Sequence, residues 1–211
     1  MVDLVGGWVH GWARCRSTAD PEPVPGGWRI AVGLPNHRVR YVLSGHDEQI
    51  LAELGSRAAA PGTWIKVAGD PDRLRAALPP AWVMADTAYL MSAPFTPAER
   101  GAPPAPYRVR VVSDGPVAIA EIRDGDDALA AWGRLAPAGE VGVIDQVETD
   151  AAHRRRGLGS AIMHTLAAHA ADLGLHTGVL AATEQGRGLY ESLGWSVFGQ
   201  LAAAHVPETL D

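Results

Sequence analysis

The sequence predicts a fold of the α/β (α+β) class, built on a mixed, mostly antiparallel, twisted sheet with flanking helices. Two observations lead to this prediction. In the second half of the chain, four short segments rich in apolar residues follow one another through tight turns, as antiparallel strands do. Farther on, segments with strand and helix patterns alternate, and a similar alternation occurs in the first half. A smaller α/β domain is therefore expected to precede the larger one.

The first half contains three predicted strands and two predicted helices. Residues 38–43 alternate between polar and apolar side chains, as a strand does, whereas Ile50, Leu51 and Leu54 recur at the spacing of a helix. The predicted strands lie at 38–43, 63–67 and 82–90, and the predicted helices lie at 47–58 and 71–78. This order of elements predicts a small α/β domain over residues 1–95.

A proline-rich stretch divides the chain near its middle. Five prolines cluster here with Gly101, namely Pro94, Pro97, Pro103, Pro104 and Pro106. Such a composition predicts an extended and fairly stiff connection. We therefore expect a linker at 96–106, between the domain at 1–95 and a second domain at 107–211.

The second domain is predicted to begin with four strands joined by short turns, at 107–112, 117–123, 128–136 and 141–149. Leu158, Ile162 and Leu166 then recur at helical spacing, and Gly174 favours the end of that helix. A short apolar strand is predicted at 177–182, and a second helix is predicted at 185–193.

A loop rich in glycine and arginine joins the fourth of these strands to the long helix. It reads Arg154-Arg155-Arg156-Gly157-Leu158-Gly159-Ser160. At a helix N-terminus, backbone N–H groups point outward and the helix dipole adds partial positive charge, which suits a pyrophosphate. Gly157 and Gly159 permit a positive φ or a close approach of the backbone to a ligand. The pattern matches neither a P-loop nor the dinucleotide fingerprint with its three spaced glycines.

Two motifs in this half resemble those of the GCN5-related N-acetyltransferase (GNAT) superfamily. Arg154-x-x-Gly157-x-Gly159 is similar to the R/Q-x-x-G-x-G/A loop that binds acetyl-CoA in that family. The segment Leu189-Tyr190-Glu191-Ser192-Leu193-Gly194-Trp195 resembles the L-Y-E-x-L-G-F/W segment of the family. The two motifs stand in the family's order and separation, and the resemblance covers roughly residues 106–205. It implies the GNAT fold, with acetyl-CoA (CoA) as the cofactor.

The chain departs from the family plan after the first strand of the second domain. GNAT domains place two helices there, which line the acceptor pocket, whereas this chain has only the turn Asp114-Gly115. The resemblance therefore implies that the N-terminal domain forms the acceptor side. The strand–helix order of that domain also occurs in the second half of a GNAT domain. The domain is thus either a degenerate GNAT-like half or an ordinary set of β/α units.

The resemblance implies a cofactor site along the fourth strand and the loop after it. The pantetheine arm is expected to lie on the backbone of that strand, as an added strand would, and the pyrophosphate is expected on the loop. Thr183 stands where many family members have an asparagine that contacts the cofactor. The expected cofactor-binding residues are Val147, Glu148, Thr149, Arg154, Arg155, Arg156, Gly157, Leu158, Gly159, Ser160 and Thr183.

The resemblance also suggests catalytic residues. Tyr190 matches the family tyrosine that acts as general acid toward the departing thiolate; its alternative role is to pack its helix on the sheet. The expected general base is Glu148 or Asp145, with Glu148 as the first choice and ordered water as the alternative. In a regular strand these two carboxylates point to opposite faces, whereas the bulge that this strand usually carries in the family would change that.

Composition limits the partners. A formal net charge of -6 argues against nucleic acid, because phosphate contacts need a basic surface. Cys15 is the only cysteine, so no internal disulfide forms, and no metal site is predicted. No apolar run approaches the roughly 20 residues that span a bilayer, and the N-terminus does not resemble a signal peptide. We expect a cytoplasmic protein without a membrane partner; the resemblance leaves a homodimer open.

The sequence therefore predicts an acyl-CoA-dependent N-acyltransferase that moves an acetyl group from acetyl-CoA directly to the amine of a small molecule. The acceptor would be an amino acid, a polyamine, a metabolite or an antibiotic. Two alternatives stay open: acetylation of protein amines, and a non-catalytic acyl-CoA-binding module that regulates a partner. Tyr190 argues against the second alternative, because a pure binder needs no proton donor at the sulfur.

Overall fold

The structure is a computed structural model that describes residues 2–96 and 101–208 of the 211-residue chain. The helices are α1 (Leu4–Cys15), α2 (Glu48–Arg57), α3 (Pro71–Ala77), α4 (Leu158–Asp172) and α5 (Glu184–Ser192). The strands are β1 (Glu22–Val24), β2 (Gly27–Leu34), β3 (His37–Leu43), β4 (Thr63–Ala68), β5 (Val83–Pro94), β6 (Arg108–Asp114), β7 (Val117–Arg123), β8 (Leu129–Ala138), β9 (Val141–Thr149), β10 (Thr177–Ala182) and β11 (Ser196–His205). The mixed α/β class predicted from the sequence is confirmed.

Every helix and strand predicted from the sequence is present, with ends that differ by a few residues. Four of the α-helices and strands named above were not predicted, namely α1, β1, β2 and β11. Within the described residues, no helix is both long enough and apolar enough to cross a membrane.

Contacts divide the chain into two compact units, and each unit combines stretches that are distant in sequence. The first unit consists of Met1–Cys15, Ser92–Leu180 and Ser192–Trp195. The second unit consists of Arg16–Met91, Ala181–Glu191 and Ser196–Asp211. Helix α1 is thus grouped with the strands of the second half, whereas β11 is grouped with those of the first half.

The first unit contains a sheet with the strand order β10-β9-β8-β7-β6. Strands β6 to β9 pair antiparallel with their neighbours, and β9 pairs in parallel with β10. The connection between β6 and β7 is a tight turn at Gly115, which has a φ of 57°. The family's two helices are therefore missing at this point, as the sequence indicated.

Helix α1 packs on one face of this sheet through glycines. A side chain at Gly7 would meet Val141, and a side chain at Gly11 would overlap Val143. Both positions therefore require glycine for the close approach of the helix to β9. Glycine disfavours a helix, so the local sequence of α1 did not predict one; burial of Trp8 and Trp12 offsets that preference.

Helix α4 covers the opposite face of the same sheet. A side chain at Gly133 in β8 would meet Ile162 and Leu166 of this helix. Successive side chains of a strand point to opposite faces of the sheet. In β9, Val141 and Val143 therefore face α1, whereas Gly142 between them lies on the α4 face, beside Leu135 of β8. The sheet is therefore covered on both sides, which is why β9 is apolar along most of its length.

The second unit contains a sheet with the strand order β1-β2-β3-β4-β11-β5. Strands β1, β2 and β3 are antiparallel neighbours, β3 and β4 are parallel through α2, and β11 pairs antiparallel with β4. Helices α2 and α3 cover one face of this sheet, over a core that includes Leu43, Leu51, Ile65, Val67, Leu74 and Trp82. The C-terminal strand thus completes the sheet of the N-terminal half.

Part of the predicted proline-rich linker, residues 97–100 with Pro97, lies outside the described residues. Its later part packs on α4, where Thr165 donates a hydrogen bond of 3.5 Å to the carbonyl oxygen of Gly101. A side chain at Gly101 would meet the backbone of Ala161. Residues 101–106, the described end of the predicted linker, contain no helix or strand.

Candidate functional site

Strands β9 and β10 pair over only three residues each. The parallel register joins 141–143 to 177–179, and β9 then continues to Thr149. Among the described pairs, the last part of β9 pairs with β8 alone. Its other edge therefore offers backbone N–H and C=O groups, to which an extended ligand can add as another strand would. Val147, Glu148 and Thr149 lie on this part of β9.

A bulge interrupts β9 just before these residues. Asp145 lies opposite Arg134 and Glu148 lies opposite Trp132, so three steps along β9 match two steps along β8. Gln146 takes up the extra length with a left-handed backbone, at a φ of 55°. The sequence did not identify Gln146, because a bulge depends on the register with the neighbouring strand.

The bulge places the two candidate bases on the same face of the sheet. Trp132 and Arg134 are two residues apart in β8 and share a face, so Glu148 and Asp145 share that face as well. The face is the one that α1 covers, since Arg134 donates a hydrogen bond of 2.6 Å to the carbonyl oxygen of Cys15 at the end of that helix. Asp145 is half-buried, whereas Glu148 is exposed.

The arginine-glycine loop follows β9 through a short 3-10 helix at Ala151–His153. Arg155 and Gly157 both have left-handed backbones, with φ values of 62° and 76°. Gly157 is the N-terminal cap of α4, and a side chain there would meet open space. The first N–H groups of α4 have no partner inside the helix, so they are available to a ligand above Gly157.

Leu158 holds this loop on the core. Its side chain is 1% exposed, so only its backbone N–H remains for a ligand. Gly159 and Ser160, the next two residues of α4, are half-buried. These positions are compatible with an anion held by backbone N–H groups, which is the way a helix N-terminus binds phosphate.

Arg156 is fixed by Tyr107, which the sequence did not single out. Its guanidinium donates a hydrogen bond of 2.7 Å to the Tyr107 hydroxyl and a second one of 3.3 Å to the carbonyl oxygen of Ala152. The hydroxyl also lies 2.9 Å from Nδ1 of His153. Nε2 of His153 in turn lies 3.7 Å from the carboxylate of Asp124. This chain of contacts ties the loop to the start of β6 and to the β7–β8 turn.

All three arginines of the loop are exposed, and the other two have fewer protein contacts. Arg154 donates a hydrogen bond of 3.3 Å to the carbonyl oxygen of Thr149 at the end of β9. Arg155 has a left-handed backbone, and its side chain is exposed to solvent. Together with Arg156, whose guanidinium is also hydrogen-bonded to Tyr107, they add positive charge beside the N-terminus of α4.

Helix α5 carries the remaining candidates. The hydroxyl of Thr183 accepts a hydrogen bond of 3.1 Å from the N–H of Gly186, so Thr183 caps this helix. A side chain at Gly186 would lie 3.2 Å from the Tyr190 ring and 3.3 Å from the Thr183 hydroxyl. Gly186 therefore lets Tyr190 and Thr183 lie together on one side of α5. Tyr190 is half-buried.

A second tyrosine, which the sequence did not indicate, lies beside α5. The guanidinium of Arg187 lies over the ring of Tyr89, 4.6 Å from its centroid. A hydrogen bond to Glu184 raises the pKa of the Tyr89 phenol. Tyr89 therefore stays protonated at neutral pH. It contacts Glu184 and Arg187, which lie one turn apart on α5.

Comparison with known proteins identifies the family. The model of the acetyltransferase (GNAT) family matches residues 74–195, which is more than half of the chain. No curated protein sequence matches the chain.

Several solved structures share the fold. A GCN5-related N-acetyltransferase from Kribbella flavida superposes with a TM-score of 0.72 at 13% identity, over 99% of this chain and 98% of that one. An acetyltransferase of the GNAT family from Novosphingobium aromaticivorans gives a TM-score of 0.61 at 16% identity, over 98% and 97% of the two chains. A tandem GNAT protein from the clavulanic acid biosynthesis pathway gives 0.53 at 10% identity, over 70% and 65%.

The structural superpositions show that the fold is shared, and the match to the family model shows that the chain is a member of that family. The matched region includes β9, the arginine-glycine loop, α4, β10 and α5, and it ends at Trp195, just before β11. The chain therefore belongs to the GNAT family of acyl-CoA-dependent N-acetyltransferases.

Proposed function

We propose that the protein transfers an acetyl group from acetyl-CoA directly to the amine of a small molecule, such as an amino acid, a polyamine, a metabolite or an antibiotic. The observation that carries this proposal is the arrangement at the end of β9. There, an open strand edge leads into a loop with two left-handed residues, Arg155 and Gly157, at the N-terminus of α4. We place this function in the cytoplasm.

The residues at this position fit CoA. The pyrophosphate would accept hydrogen bonds from the N–H groups at the start of α4, and Arg154 and Arg155 would add charge-assisted bonds. Open space above Gly157 leaves room for the phosphates. The pantetheine arm would lie along the edge of Val147, Glu148 and Thr149. When bound, acetyl-CoA supplies a thioester, whose C–S bond breaks as the C–N bond to the acceptor forms.

We assign the proton transfers to side chains of this chain. Glu148 accepts a proton from the acceptor's ammonium group, which leaves a neutral amine with a free electron pair. Its exposure and its place on the open part of β9 favour it over the half-buried Asp145. Tyr190 donates its phenolic proton to the departing thiolate. A phenol serves here because it need not be charged beforehand.

The strands in the first half of the chain follow the same order as those in the second half of a GNAT domain, but the arginine-glycine loop is missing. Strands β1 to β3 are antiparallel and β3 then pairs in parallel with β4 through α2, just as β7 to β9 are followed by α4 and β10. We infer that this half is a GNAT-like repeat that has no arginine-glycine loop. A tandem GNAT protein is among the structures with the same fold.

The proposed function is tested by thermal melting with acetyl-CoA and CoA. Gly157→Asp places a carboxylate where we expect phosphate, and Gly33→Asp is a matched control, because both glycines have a φ of 76° and open space around them. The wild type and Gly33→Asp should gain about 2.7 kcal/mol at a hundredfold excess of ligand over Kd, whereas Gly157→Asp should gain much less. Equal stabilisation of both variants, or none of the wild type at millimolar cofactor, would contradict the proposed site.

Transfer itself is measured as release of free thiol with a panel of small amines. Thiol release that depends on the amine, with one equivalent of acetylated amine formed per thiol, supports the enzyme. Release with basic peptides alone would indicate acetylation of protein amines. Binding of CoA without any amine-dependent release would indicate a regulatory module.

A further inference from the structure

A groove of about 440 Å³ lies between α2 and α3 in the second unit. Its lining comes from these two helices and from the loop that joins β3 to α2. Strands β3 and β4 are parallel neighbours, and each of them leads through a short loop into one of the two helices. Ligands of α/β proteins commonly bind outside the carboxyl ends of parallel strands, which is where these loops lie. We call this space the α2–α3 groove.

Small side chains keep the α2–α3 groove open. The two helices touch at one end of it, where a side chain at Gly55 of α2 would lie 3.0 Å from Leu78, the C-terminal cap of α3. Beyond this contact the sides are lined by Ala52 of α2 and by Ala76 and Ala77 of α3. Leu51, which is 1% exposed, adds an apolar base. The groove can therefore accept an apolar group of a few carbon atoms.

The imidazole of His46 forms the rest of the base. It packs on the backbone of Gly69, just after β4, since a side chain at Gly69 would lie 2.5 Å from Cδ2 of His46. Burial and then the charge of Arg73 lower the pKa of His46, against the opposing effect of Asp70. His46 is therefore neutral at pH 7, and the base of the groove carries no charge.

One cation and one anion face each other at the groove. Arg73 of α3 and Glu48 of α2 are the charged groups among the described residues that line it. Nη2 of Arg73 lies 3.9 Å from Oε1 of Glu48, which is longer than a hydrogen bond. Their side chains are 58% and 88% exposed. Both groups therefore keep donors and acceptors for a ligand. The neighbouring carboxylates of Asp47 and Asp70 instead accept hydrogen bonds from N–H groups at the starts of α2 and α3.

We propose that the α2–α3 groove binds a free α-amino acid with a small apolar side chain. The carboxylate of the amino acid accepts hydrogen bonds from Arg73, and its ammonium group donates to Glu48. Four charges then alternate in sign around a closed ring, because Arg73 and Glu48 already lie side by side. The apolar side chain lies on Leu51 between the alanines. The groove shares no residue with the proposed acetyl-CoA site, and the proposal does not depend on acetyl transfer.

Both charges of the ligand are needed. An amine without a carboxylate is attracted by Glu48 and repelled by Arg73, and a carboxylate without an amine meets the reverse. An amino acid has both charged groups on one carbon atom, so each of them meets its opposite. Because water and salt screen exposed charges, we expect a Kd on the order of millimolar.

The experiment follows the backbone amide signals of the full chain, labelled with ¹⁵N, at pH 7. L-leucine is the probe. Isocaproate has the same carbon skeleton without the amino group, and isopentylamine has it without the carboxylate. Sodium chloride at the same ionic strength is the control. We expect saturable shifts of α2 and α3 signals with leucine, and binding at least about tenfold weaker with each of the two singly charged analogues, since each lacks one charged hydrogen-bonding group.

Variants locate the binding in the groove. Ala76 is exposed, so Ala76→Leu fills the groove without entering the core, and it should abolish the shifts. Arg73→Gln and Glu48→Gln should each weaken leucine binding about tenfold, since each removes one charged partner. Arg75→Gln is the matched control, because Arg75 is an exposed arginine of α3 that does not line the groove. This variant should bind leucine like the wild type.

The proposal is overturned if leucine gives no saturable shifts in α2 and α3, or if either singly charged analogue binds as tightly as leucine. It is also overturned if leucine binds Ala76→Leu as it binds the wild type, since the amino acid would then lie elsewhere. If Ala76→Leu does not fold, the exposed pair supplies the second measurement. Unchanged leucine binding in both Arg73→Gln and Glu48→Gln would contradict the site.

Discussion

The guanidinium of Arg156 donates a hydrogen bond of 2.7 Å to the hydroxyl of Tyr107, a residue 49 positions earlier in the chain. One of the three arginines that suggested a phosphate loop is therefore held by protein contacts. Its bond fixes the loop against the start of β6, and Arg154 is likewise bonded to the carbonyl oxygen of Thr149 at the end of β9.

Tyr107→Phe removes this anchor and keeps the ring. We expect the free energy of unfolding to fall by about 1 kcal/mol, as for the loss of one hydrogen bond, and the affinity for CoA to fall several-fold because the loop is less fixed. Calorimetric titration with CoA checks the second effect. Tyr41→Phe, at a half-buried tyrosine of β3, is the control. Unchanged CoA affinity in Tyr107→Phe would show that the anchor does not matter to the cofactor.

Tyr190→Phe should separate binding from chemistry. If the phenol protonates the thiolate, kcat falls about 10²- to 10⁴-fold, whereas CoA stabilises the variant as much as the wild type. Single-turnover thiol release with acetyl-CoA and a reactive amine measures the first quantity, and melting measures the second. A kcat near that of the wild type would leave Tyr190 with a packing role on α5.

Glu148→Gln and Asp145→Asn distinguish the two carboxylates that the bulge places on one face. We expect the first variant to lose most of its activity near neutral pH and to regain part of it at higher pH, where more of the acceptor amine is already neutral. Asp145→Asn should retain most of its activity. Rate profiles between pH 6 and 10 measure both. Similar profiles for the wild type and both variants would favour proton removal through ordered water.

Gly11→Ala tests the packing of α1 on β9. A side chain at this position overlaps Val143, so the variant should lose about 1–3 kcal/mol of stability although alanine favours a helix. Val143→Ala in the same chain should restore part of the loss, because it makes room. Urea unfolding of the two single variants and the double variant gives the interaction energy. Additive losses would contradict direct contact.

Lys66→Met tests the charge of Lys66 through the pH dependence of the free energy of unfolding. The pKa of Lys66 is about 7 in the folded protein and 10.5 in a free lysine, so between these values the unfolded chain binds more protons. The stability of the wild type should therefore rise with pH across this window. The cost of the charge is fully present below pH 7, where Lys66→Met should be more stable by up to a few kcal/mol, at about 1.4 kcal/mol per pKa unit.

That advantage of Lys66→Met should shrink above pH 7 and vanish near pH 10.5. The measurement stays above pH 6.5, because His37, with a pKa of about 3 in the folded protein, destabilises the fold relative to the unfolded chain only below that pH. Denaturant unfolding in anion-poor buffers at several pH values gives the difference. A constant difference between the two proteins from pH 6.5 to 10 would contradict the lowered pKa.

The sequence predicted those parts of the fold in which local pattern and local conformation agree. Strand β9, the loop at Gly157 and helix α4 are coded by adjacent residues, through apolar spacing and through glycine at a left-handed position. Helix α1 was missed because its glycines disfavour a helix until β9 lies against them. Strand β11 was missed because its partner β4 lies more than 130 residues earlier in the chain.

By itself, then, the sequence determined the family and the loop with its strand and helix, since these depend on residues that are close in the chain. The tertiary structure decided the relation between distant residues. It placed Asp145 and Glu148 on one face through the bulge at Gln146, attached Arg156 to Tyr107, and brought Arg40 beside Trp64 and Lys66. These relations depend on register and packing between elements, which no local pattern encodes.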